Sequence, residues 1–438
     1  MNADLLHLLR KSKTMTISTL GNGTWTTKVF YAMDRGFIFF VEKGASTLRN
    51  IQSNPEISFA IDNDRLEMFV QGKGRVEILG EPADYERERG ILLYKVPEDT
   101  MFMRSGHVLI ARLIPEEIRV TDMRMEMKRF SEPVVLEEMR EKRHPLFNSM
   151  RVWSFQQSAV AYLIGTFLAA RIDMTYFALG LVALLLAHGS FNIFSGYFDY
   201  RSGNDSILSM TSSRVFVDRL LSGRIVLYFA SAILGVAVAI GIFLSLEVTK
   251  IIPFVAIGVT AGFLYSLPKI GLKKFALGDL AVFVTWGVGI FLGAFTLQGG
   301  IISLPIVLIA ASIALLTVSI LHGNNWRDIN DDRKAGVRTV ANIVGEEGSK
   351  FYYYSLIWVP YVLVVVAYFL ANYLYPLLAV LITVPFALKL SKIASNKRSI
   401  KKPLLDMLTA RATLYFGVVA LGAIIVAQYA TGSIHFLL

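Results

Sequence analysis

Two stretches of the chain concentrate side chains able to hold a hard cation. The first runs Asn192-Ile-Phe-Ser195-Gly196-Tyr-Phe-Asp199, with Asp205 six residues further on. The second runs Asn324-Asn-Trp-Arg327-Asp328-Ile-Asn-Asp331-Asp332, with Arg338 beyond it. On a helix, Asn192, Ser195 and Asp199 stand at i, i+3 and i+7 and share a face; Asn324, Asp328 and Asp332 stand at i, i+4 and i+8 and do the same. Both stretches end long apolar segments, and a carboxylate at the end of a lipid-embedded helix is costly unless it faces a polar cavity. Two such ends facing one another would make an oxygen-only site. That chemistry suits Mg²⁺ bridging to a substrate phosphate and does not suit zinc or copper. The plainer alternative is two solvated loop faces. His188 and His322 lie within a turn of these clusters, where a lone histidine is more often a packing residue than a ligand or base. The chain has no cysteine, which excludes a disulfide scaffold, a thiolate metal site and a cysteine nucleophile.

The elements that must position these residues are membrane spans. The chain of 438 residues is 54% hydrophobic and 18% charged, with a mean hydropathy of +0.51, a balance that points to a polytopic membrane protein. Apolar segments of spanning length recur nine times, at about 152–170, 175–197, 225–245, 251–268, 280–298, 302–322, 352–372, 374–391 and 413–431. Arg151 and the even-numbered connections carry 20 Lys and Arg, whereas the odd-numbered ones contain only Arg171 and Lys250. The positive-inside rule makes the basic connections cytoplasmic, along with the N-terminal region, and nine spans put the C-terminus outside. Residues 1–145 hold 22 basic and 22 acidic residues, so the net +10 lies entirely in the apolar part. The basic character therefore belongs to membrane loops and is no sign of nucleic-acid binding. The N-terminus has too short an apolar run for a signal peptide.

The N-terminal region reads as β structure. Met15–Leu20 and Thr24–Tyr31 flank a Gly21-Asn22-Gly23 turn, and Phe37–Val41 follows a turn at Asp34-Arg35-Gly36. Glu56–Ile61, Leu66–Leu79 and Val108–Val120 are further strands, with Gly72 and Gly74 at bulges or close approaches. Ala45–Ser53 and Asp84–Leu93 read as short helices, giving a small curled barrel. This order, and EKGASTLRNIQSNP above all, resembles the pyridoxamine-phosphate-oxidase-like flavin-binding split barrels over about residues 5–122. The resemblance implies a phosphate cradle in which Ser46, Thr47, Arg49 and Asn50 stand at a helix N-terminal turn and Lys43, Thr27 and Lys28 complete it. A capped, solvated helix start is the plain alternative. It further implies FMN, with deazaflavin F420 or haem as alternatives, and a homodimer with the ligand between subunits. Residues 123–150 form a charged linker, either a flexible tether or an amphipathic surface helix.

The two acidic stretches carry a second resemblance, over about 151–432, to the UbiA superfamily of intramembrane prenyltransferases with nine transmembrane helices. NNWRDINDDRKAGVRTVANIVG is most similar to the 1,4-dihydroxy-2-naphthoate prenyltransferases of menaquinone biosynthesis. The architecture expected is thus an all-β split barrel with short helices, then an all-α polytopic membrane domain at 151–438. The resemblance implies Mg²⁺ held by Asp199, Asp205, Asp328 and Asp332 against a polyprenyl diphosphate, with an aromatic or quinone-precursor acceptor. Asn192, Asn324, Arg327, Arg338, Lys273 and Lys274 would carry the diphosphate, although both lysines also suit cytoplasmic anchoring. Tyr265 would stabilise the allylic cation, or belong to the interfacial aromatic belt. One departure stands out: the family's first motif reads Asn-Asp-x-x-Asp, and this chain has Ser195-Gly196 before Asp199. A membrane-anchored flavin oxidoreductase acting on quinones, with a non-transferring anchor, is the alternative that this change allows.

Overall fold

A computed structural model describes all residues except 22, 63–66, 125, 126, 143, 204, 206–213, 268–270, 335, 397–401, 432–434 and 438. The chain divides into two compact units. One comprises Met1–Ser149 with Asp205–Gly223, and the other Met150–Asn204 with Arg224–Leu438.

In the first unit α1 (Ala3–Lys11) precedes β1 (Thr14–Leu20), β2 (Thr24–Phe30), β3 (Ala32–Met33) and β4 (Phe37–Glu42). Then come α2 (Ser46–Ser53), β5 (Glu56–Asp62), β6 (Met68–Gly80), α3 (Glu86–Lys95), α4 (Thr100–Arg104), β7 (Val108–Asp122), β8 (Lys128–Glu132) and α5 (Pro145–Ser149). The strands form one antiparallel sheet in the order β2-β1-β5-β6-β7-β4-β3, with β8 on β7. β2 and β4 approach each other without sharing a ladder, so the sheet curls into an incompletely closed half-barrel. Alternation drives the curl: β1 buries Met15, Ile17 and Thr19 and turns its other residues outward. These side chains meet Phe37, Phe39, Phe59, Val70 and Leu113 in one core, which α1 caps with Leu5 and Leu9. The first hairpin closes by Gly21 N–H donating to the Gly23 carbonyl; Asn22 lies outside the described residues. Gly72 and Gly74 are close approaches, since a Cβ at either would strike the backbone of β7 (at Glu117 and at Ile114), and the register slips between Lys73 and Gly74. Residues 128–132, within the charged linker expected from sequence, add a strand to the sheet.

The second unit is helical: α6 (Phe155–Phe167), β9 (Arg171–Asp173), α7 (Met174–Arg201), α8 (Gly223–Glu247), α9 (Ile252–Ser266), α10 (Gly278–Val282), α11 (Ile290–Leu297) and α12 (Leu304–Arg327). After these come α13 (Ile329–Lys334), α14 (Val340–Leu370), α15 (Val384–Ser395), α16 (Leu405–Ala430) and β10 (His435–Leu437), which pairs parallel with β9. Among the described residues eight helical stretches are long and apolar enough to cross a membrane: Met174–Arg201, Gly223–Glu247, Thr249–Ser266, Gly278–Leu297, Leu304–Arg327, Val340–Leu370, Asn372–Ser395 and Leu405–Ala430. The segment expected to be the first of nine spans is instead a 13-residue helix, α6. At 1.5 Å per residue it reaches roughly 20 Å, short of the ~30 Å hydrocarbon layer. Its expected end, residues 168–170, turns out of the helix into β9.

Candidate functional site

The two acidic stretches end α7 and α12, as their spacing requires. Asp199 sits two residues before the last residue of α7 and Asp328 caps α12, with Asp332 one turn on in α13. Both helix ends already hold cations. Lys273 Nζ donates to Asp199 Oδ1 at 2.6 Å and to Oδ2 at 2.7 Å, and to Ser195 Oγ at 3.3 Å. Arg327 grips Asp328 through both forks, Nε to Oδ1 at 2.9 Å and Nη2 to Oδ2 at 2.8 Å. The same guanidinium bonds Asp406 Oδ2 at 2.8 Å and the Asn324 side-chain oxygen. Asp406, on the first turn of α16, is a participant that the sequence did not single out; no local signal marks it, because its partner lies 79 residues away.

Two connections meet beside these ends. Phe275 and Arg338 form a parallel bridge, with Ala276 N–H donating to the Arg338 carbonyl at 2.7 Å. This brings the segment carrying Lys273 against the one that follows Asp332, while the Arg338 side chain is exposed. The Lys274 and Asp331 side chains lie outside the described residues. Asn192 faces elsewhere: its amide donates to the Met150 carbonyl at 2.8 Å and to Ser154 Oγ at 3.1 Å, fastening α7 to the start of α6. His188, a turn earlier, packs with its ring nitrogens on Ser154 and Ser158. Asp205 belongs to the first unit. Tyr265, near the end of α9, stacks obliquely on Trp286 at 6.0 Å and lies in the electrostatic reach of Asp279, Asp199, Asp332 and Arg151.

Between α7, α8, α9 and the α10–α11 stretch lies a cavity of about 300 Å³. Its lining is almost wholly apolar, from His188, Phe191 and Trp286 to Gly180, Leu244 and Leu297. α7 thus carries cavity wall along its middle and Asp199 at its end. Among the described residues no three acidic, cysteine or histidine side chains form a ready metal cage.

In the first unit α2 begins at Ser46, and its N-cap residue, Ala45, makes no side-chain capping bond to the first turn. Arg49 folds back over this turn, with Nη1 on the Gly44 carbonyl at 2.7 Å and Nη2 on Ser46 Oγ at 2.9 Å. The other expected cradle residues are spent elsewhere. Lys43 pairs with Glu81, Asn50 donates to Thr19 Oγ1 at 3.1 Å, and Thr47 is buried. Thr27 and Lys28 lie on β2, Lys28 opposite Thr16. A polar cleft of about 400 Å³, lined by Thr16, Ser18, Ser58, Gln71, Lys73 and Arg119 among others, includes none of the expected cradle residues.

Comparison with known proteins agrees with both halves. The pyridoxamine 5'-phosphate oxidase pattern matches residues 1–102, and that of the UbiA prenyltransferase family matches 158–409. UbiA prenyltransferase domain-containing protein 1 of Xenopus tropicalis is 32% identical over 289 residues, covering 64% of this chain and 81% of that protein. The human protein of the same name is 32% identical over 290 residues, covering 64% and 82%. A solved UbiA homolog from Archaeoglobus fulgidus, bound to GPP and Mg²⁺, superposes with a TM-score of 0.50 at 15% identity, covering 64% of this chain and all of that one. An oxidase-type half-barrel is fused here to a multi-pass helical domain, and through that domain the chain belongs to the UbiA prenyltransferase family.

Proposed function

We propose that the chain transfers a polyprenyl group from an allylic diphosphate to an aromatic acceptor of the 1,4-dihydroxy-2-naphthoate type, a step of menaquinone biosynthesis. The observation that carries this reading is the apolar cavity walled by α7, the helix that ends in Asp199, with Trp286 of its lining stacked on Tyr265. An apolar tail would lie in the cavity with its diphosphate at the charged ends. Asp199, Asp205, Asp328 and Asp332 would hold Mg²⁺. When bound, that ion neutralises the leaving group as a Lewis acid. Lys273, Arg327 and Arg338, with Lys274 and Asn324 in lesser roles, would take diphosphate charge. To do so Lys273 and Arg327 release the carboxylates they now hold, so cation and substrate sites fill together. Tyr265 and Trp286 offer aromatic faces to the allylic carbon as its C–O bond breaks and the electron pair leaves with pyrophosphate. A ring carbon of the acceptor forms the new C–C bond, and the ring sheds a proton or, if carboxylated, CO₂.

The same reading places the basic connections and the half-barrel in the cytoplasm, with α6 counted as a ninth, shortened crossing and the C-terminus outside. The uncapped α2 turn with Arg49 supports an FMN phosphate there, F420 or haem being the alternatives, and dimerisation through the half-barrel. One observation favours a second reading, a membrane-anchored flavin oxidoreductase for quinones: Ser195, in place of the family's asparagine, is engaged in the Lys273–Asp199 pair.

The deciding experiment is pyrophosphate release by the full chain in detergent with Mg²⁺, geranylgeranyl diphosphate and dihydroxynaphthoate. Wild type should release pyrophosphate and Asp328→Asn should not. Silence of the wild type across a panel of acceptors, with flavin bound and quinone reduced, would hand the assignment to the oxidoreductase.

A further inference from the structure

Three helices of the second unit enclose a group of polar side chains that the reading above leaves without a task. Asp279 stands in the first turn of α10, His322 on α12 six residues before Asp328, and Ser349 and Tyr352 on α14. The His322 side chain has no exposed surface and that of Asp279 has 6%. The Tyr352 hydroxyl donates to the Asp279 carboxylate, and the Tyr352 ring stands edge-on to the imidazole with the centroids 4.7 Å apart.

The group is one hydrogen short. His322 Nε2 lies 3.3 Å from the Ser349 carbonyl. A carbonyl only accepts, so Nε2 carries the hydrogen and the neutral ring presents a lone pair at Nδ1. Nδ1 stands 3.8 Å from Asp279 Oδ2, and neither atom has a hydrogen-bond partner among the described residues. An ionised carboxylate is likewise acceptor-only, so two buried acceptors face each other with no hydrogen between them. Unmet acceptors in a dry interior are costly, and one proton taken up between the two would serve both.

This pair adjoins the residues to which the transfer reading assigns the allylic carbon. Gly278 precedes Asp279, and a Cβ there would come within 3.3 Å of Lys273 Cα and 3.8 Å of Tyr265 Cε2. Of the charges that bear on Tyr265, that of Asp279 weighs most. The titratable and charged groups around Asp279 are His322 of α12, Tyr352 of α14, Tyr265 of α9 and, on the preceding connection, Lys273, which is itself held by Asp199.

We propose that Asp279 and His322 together accept the ring-hydroxyl proton of the aromatic substrate, with Tyr352 as a positioning residue that holds the carboxylate. The inference rests on the transfer reading. As the ring carbon attacks the allylic carbon, the hydroxyl proton passes to the gap between Oδ2 and Nδ1 and the ring becomes a dienone. That ring carbon then loses its own proton to water, or CO₂ if it is carboxylated. The electron pair left behind restores the aromatic ring, and the carbonyl oxygen takes the lent proton back.

The test has two arms, both on the full chain in detergent. The first is the infrared difference spectrum between acid and alkaline pH. Wild type should show the band of a buried protonated carboxyl that is missing from Asp279→Asn. The band should be displaced in His322→Gln, whose amide can still donate to Ser349 but offers no acceptor at the Nδ1 position. Identical spectra in wild type and both variants overturn the proton-accepting pair. The second arm is pyrophosphate release from geranylgeranyl diphosphate with dihydroxynaphthoate. Both variants should lose about a hundredfold in kcat while KM for the diphosphate stays within about twofold. Tyr352→Phe should lose about tenfold. The deficit should shrink as pH rises, because a hydroxyl that ionises in solution needs no base. A structural defect would instead move KM or persist unchanged at every pH, and either result, or full activity in both variants, overturns the role in transfer. A wild type that releases no pyrophosphate refutes the transfer reading and this role with it, and leaves the infrared arm to decide whether the pair takes up a proton.

Discussion

Arg89, Asp218 and Arg214 in the first unit are closed to solvent, and Lys95 and Glu141 nearly so, with side-chain exposures of 6% and 7%. The ion pairs at the helix ends of the second unit are built from the same groups at similar distances, yet Asp199, Lys273, Arg327 and Asp328 keep 17–29% of their side-chain surface open. The difference is in exchange, not in geometry. A sealed pair can dissociate only by stranding a charge in a dry interior, whereas a half-open pair can trade its partner for a metal ion, a phosphate or water. Sealed pairs therefore hold elements together, and half-open pairs are places where ligands can enter.

The largest effect that would sharpen this contrast is expected at Arg327. Arg327→Ala removes the single group that serves Asp328, Asp406 and Asn324, and kcat/KM for the diphosphate should drop by about a hundredfold or more. Retained activity would break the contrast by showing that the fork is merely structural. Lys273→Ala is expected to cost about tenfold, as the loss of one charge-assisted partner of the diphosphate, while less Mg²⁺ should be needed because Asp199 no longer has a competing cation. A rise in the Mg²⁺ requirement would contradict the idea that the lysine stands in the ion's place. Ser195→Asn, which supplies a better oxygen ligand one turn before Asp199, should lower that requirement by a few-fold. Finally Asp99 of the first unit is a sealed carboxyl whose Oδ2 has no hydrogen-bond partner among the described residues, and burial pushes its pKa up from 3.8 to about 7, helped by nearby Glu98. Between those values the folded chain keeps a proton that the unfolded chain has lost, so stability of this unit should fall as pH rises from about 4 to 7. The β-sheet circular dichroism melt should show this slope in wild type and a flatter one in Asp99→Asn.

The sheet was legible wherever its signals were local. The Gly21–Gly23 turn, the α2 start at Ser46 and the approaches at Gly72 and Gly74 fall where the residues put them. β8 was not, because Lys-Arg-Phe-Ser-Glu has no apolar alternation and offers the core a single apolar side chain, Phe130. In the helical unit the i, i+3, i+7 spacing rests on Asn192, Ser195 and Asp199 standing on one helix, and all three lie on α7. It did not show that the Asn192 amide is already committed to Met150 and Ser154. Likewise Lys273 was recognisable as a cation near the site, but its grip on Asp199 joins residues 74 apart. Pairings across such separations are set by how helices pack, and sequence spacing within one helix carries no information about them.

The bridge between Phe275 and Arg338 is made of main-chain atoms, so it does not depend on which side chains stand there. The linkage itself is thus tolerant of substitution at Phe275 and intolerant of changes in length on either side. One residue inserted between Lys273 and Ala276, or between Asp332 and Arg338, would shift the bridge out of step and move Lys273 relative to the second acidic motif, whereas replacing Phe275 would leave the linkage standing. Natural variation along these connections should therefore appear as exchanged residues at constant spacing.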